Sequence, residues 1–545
     1  MNIHGMRILG SIKRRALVAL TTVTALSATQ CRPDDPRSTQ RLSTLAPVAI
    51  STGLVYVSPD RARAVRVNLT GATPTVERFR VGPAAVASVV RTGTDEVLVL
   101  SQGERGSPGI APVAATLSVL AASGPPRVYT VGSPFNAISV TADGRFAFVH
   151  FRPSGALQRL LFNPNEVAIV DLQSAPSEGN PVRRTVRSFG GIPTDVIFSP
   201  PVAIRGEMRT IAVVVSSSYV TLMDLAHLDR GETSVRLTLP EDPRDLNPQQ
   251  VLFDSELRAI YLRAAASNDV YVLRLDDAGA TPAMGNDFRV SINQVGAGQG
   301  PTDLALFGEG EGRRLLVVSR GSREARVIDP RSNAITTIAL DARADRALLF
   351  QGRSPRDPMT ARRALLYPSR ADTGSSAVSF LDLDAIEARS SQNLETVQLR
   401  RTVRFALPLP ERGTVLFEHD DASTAGRLSL LDLQGRTTAP ILAEVSLADA
   451  RFSTDQRLLW VAPNGSPRVG FVDLRDFHPG EIRLDAPVSE VLSLPTAMGS
   501  PARVVALHPA TAGSLSVLNA DNPQRETTRV FTGYLAADLL DQEAQ

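Results

Sequence analysis

The sequence predicts an all-β fold: a single β-propeller of four-stranded blades, with ten blades favoured over eight or nine. Three observations predict it. A short phrase recurs along the chain: an apolar strand ending in a small or polar residue, a turn, and a second strand closed near Asp-Leu. The closing position falls at Asn68, Ala121, Asp171, Asp224, Asp276, Asp329, Asp382, Asp432, Asp473 and Asn519, spaced 41 to 53 residues apart. Strand pattern at such a period is the signature of propeller blades. Each unit also holds four strand pieces, enough for one blade.

The elements follow in chain order. Residues 1–30 read as an export leader: Arg7, Lys13, Arg14 and Arg15 precede an apolar run from Ala16 to Ala28. That run is too short to span a membrane. Removing the leader takes away four basic residues and no acids, so the precursor's net charge of +2 becomes about −2. A near-neutral surface offers no electrostatic case for nucleic acid. Cys31 is the only cysteine, which excludes internal disulfides and cysteine metal cages. Its place behind the leader resembles the lipidated cysteine of bacterial lipoproteins, although Gln30 stands where their motif has a small residue. The resemblance implies a membrane-anchored, extracytoplasmic protein. Ala25-Leu26-Ser27 offers a competing cleavage site for plain secretion. Residues 31–43 are then a linker, 44–540 the propeller and 541–545 a tail.

The unit around Asp224 shows the strand pattern. Pro193–Phe198 is expected innermost, Ile211–Val215 and Val220–Met223 central, and Ser234–Leu239 outermost with half-exposed alternation. Continuous apolar runs such as Leu54–Val57, Phe146–Val149, Leu315–Val318 and Leu458–Val461 suit strands covered on both faces. At the ends of the chain, Ser43–Ile50 and Tyr534–Leu540 compete to add a strand to the first blade and so hide a sheet edge.

Val55-Tyr56-Val57-Ser58 with Val65-Arg66-Val67-Asn68, and Val317-Val318-Ser319 with Val327-Ile328-Asp329, resemble the repeat of the YVTN propeller family. The resemblance covers about residues 44 to 540 and implies a propeller. Relatives of that family include lactonase-type enzymes, whose usual blade count ten units exceed.

Candidate sites come from aligned columns. Asn136, Asp195, Gln250, Asp303, Asp345, Asp449 and Glu490 stand at the entrances of the inner strands. They could ring the channel mouth and orient a polar ligand, or each could cap its own turn. His150, His419 and His508 follow second strands, where other units have Ser58, Ser101, Ser216 or Ser319. They belong to separate blades, about 10 Å apart for packed sheets, so they cannot share a zinc ion with ligands at roughly 2 Å. No metal or other cofactor is expected. The closing Asp and Asn residues should accept backbone N–H groups just downstream. Two long loops, 101–115 and 150–165, should lie side by side on the face where the inner strands begin. The second carries Arg152, Arg159, Leu160 and Leu161.

The sequence lacks Gly-x-Ser-x-Gly, His-Glu-x-x-His, Cys-x-x-Cys-His and P-loop motifs. A sole lysine, Lys13 in the leader, excludes lysine nucleophiles from the mature chain. The expected function is therefore a non-catalytic, monomeric, extracytoplasmic propeller. It binds a protein or cell-envelope ligand through its loop-rich face and touches membrane only through a lipid on Cys31. The alternative is a lactonase-like or other hydrolytic enzyme using the channel-mouth carboxylates and His150.

Overall fold

A computed structural model describes residues 43–536, less 72, 107, 110, 154–162, 178–180, 188–190, 239–244, 279–285, 352–361, 371–372, 388–393, 400, 410–412, 420–427, 442–446, 456, 476–477, 497–500, 511 and 524–527. Ten four-stranded antiparallel sheets follow one another along the chain. The first consists of Val48–Ile50, Gly53–Ser58, Arg63–Asn68 and Thr75–Arg80, in that spatial order. Its second strand is buried throughout and its fourth is largely exposed. That gradient is why central strands read as unbroken apolar runs and outer ones alternate. First strands of successive blades pack on each other, as Val48–Ile50 does on Ala85–Val90 and Leu447–Phe452 on Glu490–Ser493. The first strand of each blade is therefore innermost.

Every pair of neighbouring blades shares its own apolar cluster. Val55, Val57, Val97 and Val99 join blades 1 and 2; Leu222, Leu262 and Leu273 join 4 and 5; Trp460, Val469 and Val504 join 9 and 10. The remaining pairs are filled in the same way. A tenth cluster joins blade 10 to blade 1 through Leu54, Tyr56, Val67, Val505, Leu515, Val517, Tyr534 and Leu535. Ten blades with ten interfaces make a closed ring, the fold the repeat predicts.

The structure decides three further points. Of the two chain ends that compete to add a strand to the first blade, only Ser43–Ile50 supplies one. Val48–Ile50 forms blade 1's own inner strand, and blade 10 is complete with Glu490–Ser493, Arg503–Leu507, Ser514–Asn519 and Arg529–Thr532. Tyr534 and Leu535 pack against blade 1 instead, and the Tyr56 and Tyr534 hydroxyls meet at 2.9 Å. Secondly, Asp276 does not close its strand, because Asp269–Asp277 runs on in a nine-residue pairing with Phe288–Gly296. By register the closing position there is Arg274: Leu275 N–H bonds the Arg258 carbonyl as Leu69 N–H bonds that of Thr52. Thirdly, blade 4 contains an extra hairpin, Val202–Ile204 with Glu207–Arg209, between its first and second strands.

Candidate functional site

The loop face is the end where inner strands begin and second strands finish. A β-bulge precedes Gln250, Asp303 and Asp449 at this end and re-aims the side chain that follows. Each of the three then reaches the inner strand of the next blade. Gln250 Oε1 accepts from Leu304 N–H at 3.1 Å, Asp303 Oδ2 from Ala347 N–H at 2.9 Å, and Asp449 Oδ2 from Val491 N–H at 3.0 Å. These residues are latches between blades, a role neither sequence alternative contained.

Blades 5 to 7 carry the densest part. Gln250 Nε2 donates to Asp303 Oδ1 at 3.0 Å, Arg346 approaches the same oxygen at 3.3 Å, and Arg263 Nε donates to Gln250 Oε1 at 2.9 Å. Burial pushes the Asp303 carboxyl up, against the Ala347 N–H and the positive charge of Arg346. Burial likewise lowers the Arg263 guanidinium to about 10. Arg263 and Arg346 were not among the expected site residues. Arg263 was discoverable, since it interrupts the otherwise apolar, fully buried Ala259–Ala264. Asp345 stands one residue before the aligned position, which Arg346 occupies. Asp345 instead accepts from Ser369 N–H at 2.6 Å and Ser369 Oγ at 3.0 Å. In blade 10, burial raises Glu490 and the nearby Asp449 charge raises it further.

Blades 2 to 4 are tied differently. Gln102 Nε2, at the base of the first long loop, donates to the Pro134 carbonyl at 2.9 Å. Asn136 exchanges two bonds with the Arg152 backbone, and the Arg152 guanidinium pairs with Asp195 at 2.9 Å, both groups about half exposed. The bases of loops 101–115 and 150–165 thus lie beside each other. The first loop narrows into a tip closed by reciprocal Glu104–Val113 backbone bonds. Arg159, Leu160, Leu161 and Cys31 lie outside the described residues.

The histidines are interior groups. His150 is wholly buried, with no hydrogen-bond partner at either ring nitrogen among the described residues. Burial, aided by the Arg152 charge, lowers it to about 3. His508 bonds the Pro487 carbonyl at 2.9 Å and Ser516 Oγ at 2.8 Å. In other blades Ser101 and Ser319 take the equivalent strap, bonding the Gly82 and Ala297 carbonyls. Asp195, Asp303 and Asp449 do not converge with His150, and among the described residues no three His, Cys, Asp or Glu side chains form a metal-holding group.

No family model matches the chain, and no curated protein does. Solved structures similar to it include the dihydro-heme d1 dehydrogenase NirN in complex with DHE, at 14% identity over 73% of this chain and 72% of that one, with a TM-score of 0.40. A eukaryotic initiation factor matches at 10% identity over 89% and 95%, with a TM-score of 0.42. Apo AztD from Citrobacter koseri matches at 11% identity over 72% and 95%, with a TM-score of 0.31. At these identities and scores the likenesses bear on neither ligand nor activity. The propeller assignment rests on the sheets and their interfaces.

Proposed function

We propose that the protein is a non-catalytic, extracytoplasmic propeller with YVTN-type repeats that binds a protein or cell-envelope ligand through its loop face at blades 2 to 4. One observation carries this reading: the Gln102–Pro134, Asn136–Arg152 and Arg152–Asp195 contacts hold the bases of two long loops together on one end of adjacent blades. Val113, on the first of these loops, is 46% exposed, and Arg152, at the base of the second, is a residue type enriched at interfaces. Supporting the absence of chemistry, Asp303 and Asp449 are occupied in holding neighbouring blades, and His150 is sealed from substrate.

The test is capture from an envelope extract with three proteins: the native chain, a V113E/R152E variant, and an M208E control on the opposite face. Native and control proteins should retain one shared partner that the loop variant loses. Equal capture by all three would remove blades 2 to 4 as the binding face. For anchoring, C31S should release the protein from membranes; unchanged membrane association would reject the lipid anchor.

A further inference from the structure

The outer strand of blade 5 is the least guarded edge of the ring among the described residues. Phe288–Gly296 is nine residues long, whereas the other outer strands have four to six. It ends its sheet, with Asp269–Asp277 on one side and no strand on the other. Exposed strand edges invite pairing, and proteins guard them with charges, proline or short length. Outer strands elsewhere carry Glu77 and Arg78, Glu395, Pro440 or Pro479. In blade 5 the only charge is Arg289, and Ile292 at the centre is 40% exposed. Ile335–Ala339 is also uncharged, but it has only five residues.

The phase of the ladder shows which backbone groups are free. Ala278 N–H bonds the Asp287 carbonyl and Ala297 N–H that of Asn268, at 2.8 Å each, just beyond the two ends of the pairing. Bonded pairs recur at every second residue of an antiparallel ladder. Arg289, Ser291, Asn293 and Val295 therefore bond inward, and Val290, Ile292 and Gln294 point N–H and C=O outward. Asn293 Oδ1 accepts the Gln294 N–H at 2.9 Å. No group among the described residues takes the N–H of Val290 or Ile292.

The side chains add an apolar end to this edge. Phe253 lies opposite Ile260, Ile260 opposite Leu273, and Leu273 opposite Ile292. One apolar row thus crosses blade 5 from its inner strand to its outer wall, and Ile292 is the uncovered end.

We propose that this edge pairs antiparallel with the same strand of a second copy of the chain, about a two-fold axis at Ile292, so that two blades form one continuous sheet. Ile292 exchanges both backbone bonds with its own copy, and Val290 does so with Gln294 of the second copy. Asn293 releases the Gln294 N–H for that bond. The two Ile292 side chains meet on one face and extend the apolar row. Charge permits a copy as the partner: Arg289 falls opposite Val295, so no like charges meet. Such an interface uses one patch twice and closes without further growth. The dimer departs from the monomer expected from the sequence, and it does not depend on the blade 2 to 4 surface.

The experiment is sedimentation equilibrium of the full mature chain carrying C31S, so that no lipid drives association. A dimer fraction that rises with concentration is expected. Ile292→Lys sets two like charges opposite each other and should raise the dimer dissociation constant about tenfold. Ile335→Lys, on the neighbouring outer strand, should leave it unchanged. Both variants should keep the native urea midpoint, since both side chains are exposed. Deuterium exchange in segment 288–296 should slow as the dimer forms. A monomer at every concentration, a dimer indifferent to Ile292→Lys, or equal weakening by Ile335→Lys would overturn the proposal.

Discussion

Arg66 shows best what single residues do in this ring. Its guanidinium donates to the carbonyls of Leu120, Ala121 and Ala122 in the next blade, at 3.3, 2.6 and 3.0 Å. The device recurs: Arg127 bonds Leu172 O, Arg274 bonds Pro330 O, Arg457 bonds Ala520 O and Arg503 bonds Leu69 O. Each target sits at or just after a strand-closing position. The closing residues themselves behave as the sequence predicts, Asn68, Asp171, Asp224, Asp329, Asp432, Asp473 and Asn519 each accepting the N–H two residues on. A fan of carbonyls suits a fork of donors and not a point charge. R66K should therefore cost about 2 kcal/mol, read as a lower urea midpoint, while R289K on the exposed outer strand of blade 5 should change little. His150 gives the pH prediction. Its ordinary pKa of 6.5 falls to about 3 in the fold, so the unfolded chain takes the proton first. Stability from this group is whole above about pH 6.5 and is lost as pH falls toward 3, on the order of 5 kcal/mol in all. H150L should flatten the urea midpoint between pH 7 and 4; an unchanged slope would show that His150 is not the titrating group.

Among the elements, the inserted hairpin of blade 4 has the clearest role. Arg209, 6% exposed, donates to Asp224 Oδ2 and Asp287 Oδ2 at 2.7 Å each. Arg205 and Arg230 also pair with Asp287. Burial works against ionisation of Asp287, yet the bonds from Arg209 and Arg230 hold its carboxyl below the usual range. Val202 and Ile204 meanwhile enter the apolar cluster between blades 4 and 5. The hairpin thus clasps the extended Asp269–Asp277 and Phe288–Gly296 ribbon of the next blade. R209M leaves two buried carboxylates short of their partner and should destabilise by about 3–5 kcal/mol. R209M/D224L/D287L removes the three buried charges together, leaving only the more exposed Arg205 and Arg230, and should recover much of that loss in the same denaturation assay. A triple variant worse than the single one would show that the network, and not its desolvation, is what matters.

For the whole molecule, closure depends on packing and a few polar ties. Arg503 reaches Leu69 O and Ser51 O, and Arg529 reaches Gly71 O, in addition to the Tyr56–Tyr534 contact. Removing blade 10 by ending the chain after 486 should not yield a smaller closed ring. It uncovers Leu54, Tyr56 and Val67 on blade 1 and Trp460, Val469 and Phe471 on blade 9. Faces of that size associate. Size-exclusion chromatography should show higher assemblies with strong dye binding, and a compact monomer would contradict the prediction.

Blade number was legible because every blade must close a turn after its third strand and bury its second strand on both faces; both demands are local and repeat at a fixed interval. The Asp276 reading failed where local pattern misleads: a strand that extends three residues further, to Asp277, hides its true closing position at Arg274. Loop-face residues were legible as a column but not by role, since Gln250, Asp303 and Asp449 bond partners 42 to 54 residues away. Which neighbour a side chain meets is set by the bulge before it and the blade beside it. The sequence by itself determined the blade, its repetition and its polar turns. Only the ring decided that Gln250, Asp303 and Asp449 are latches and that His150 is sealed, because those outcomes depend on contacts between blades that no single repeat contains.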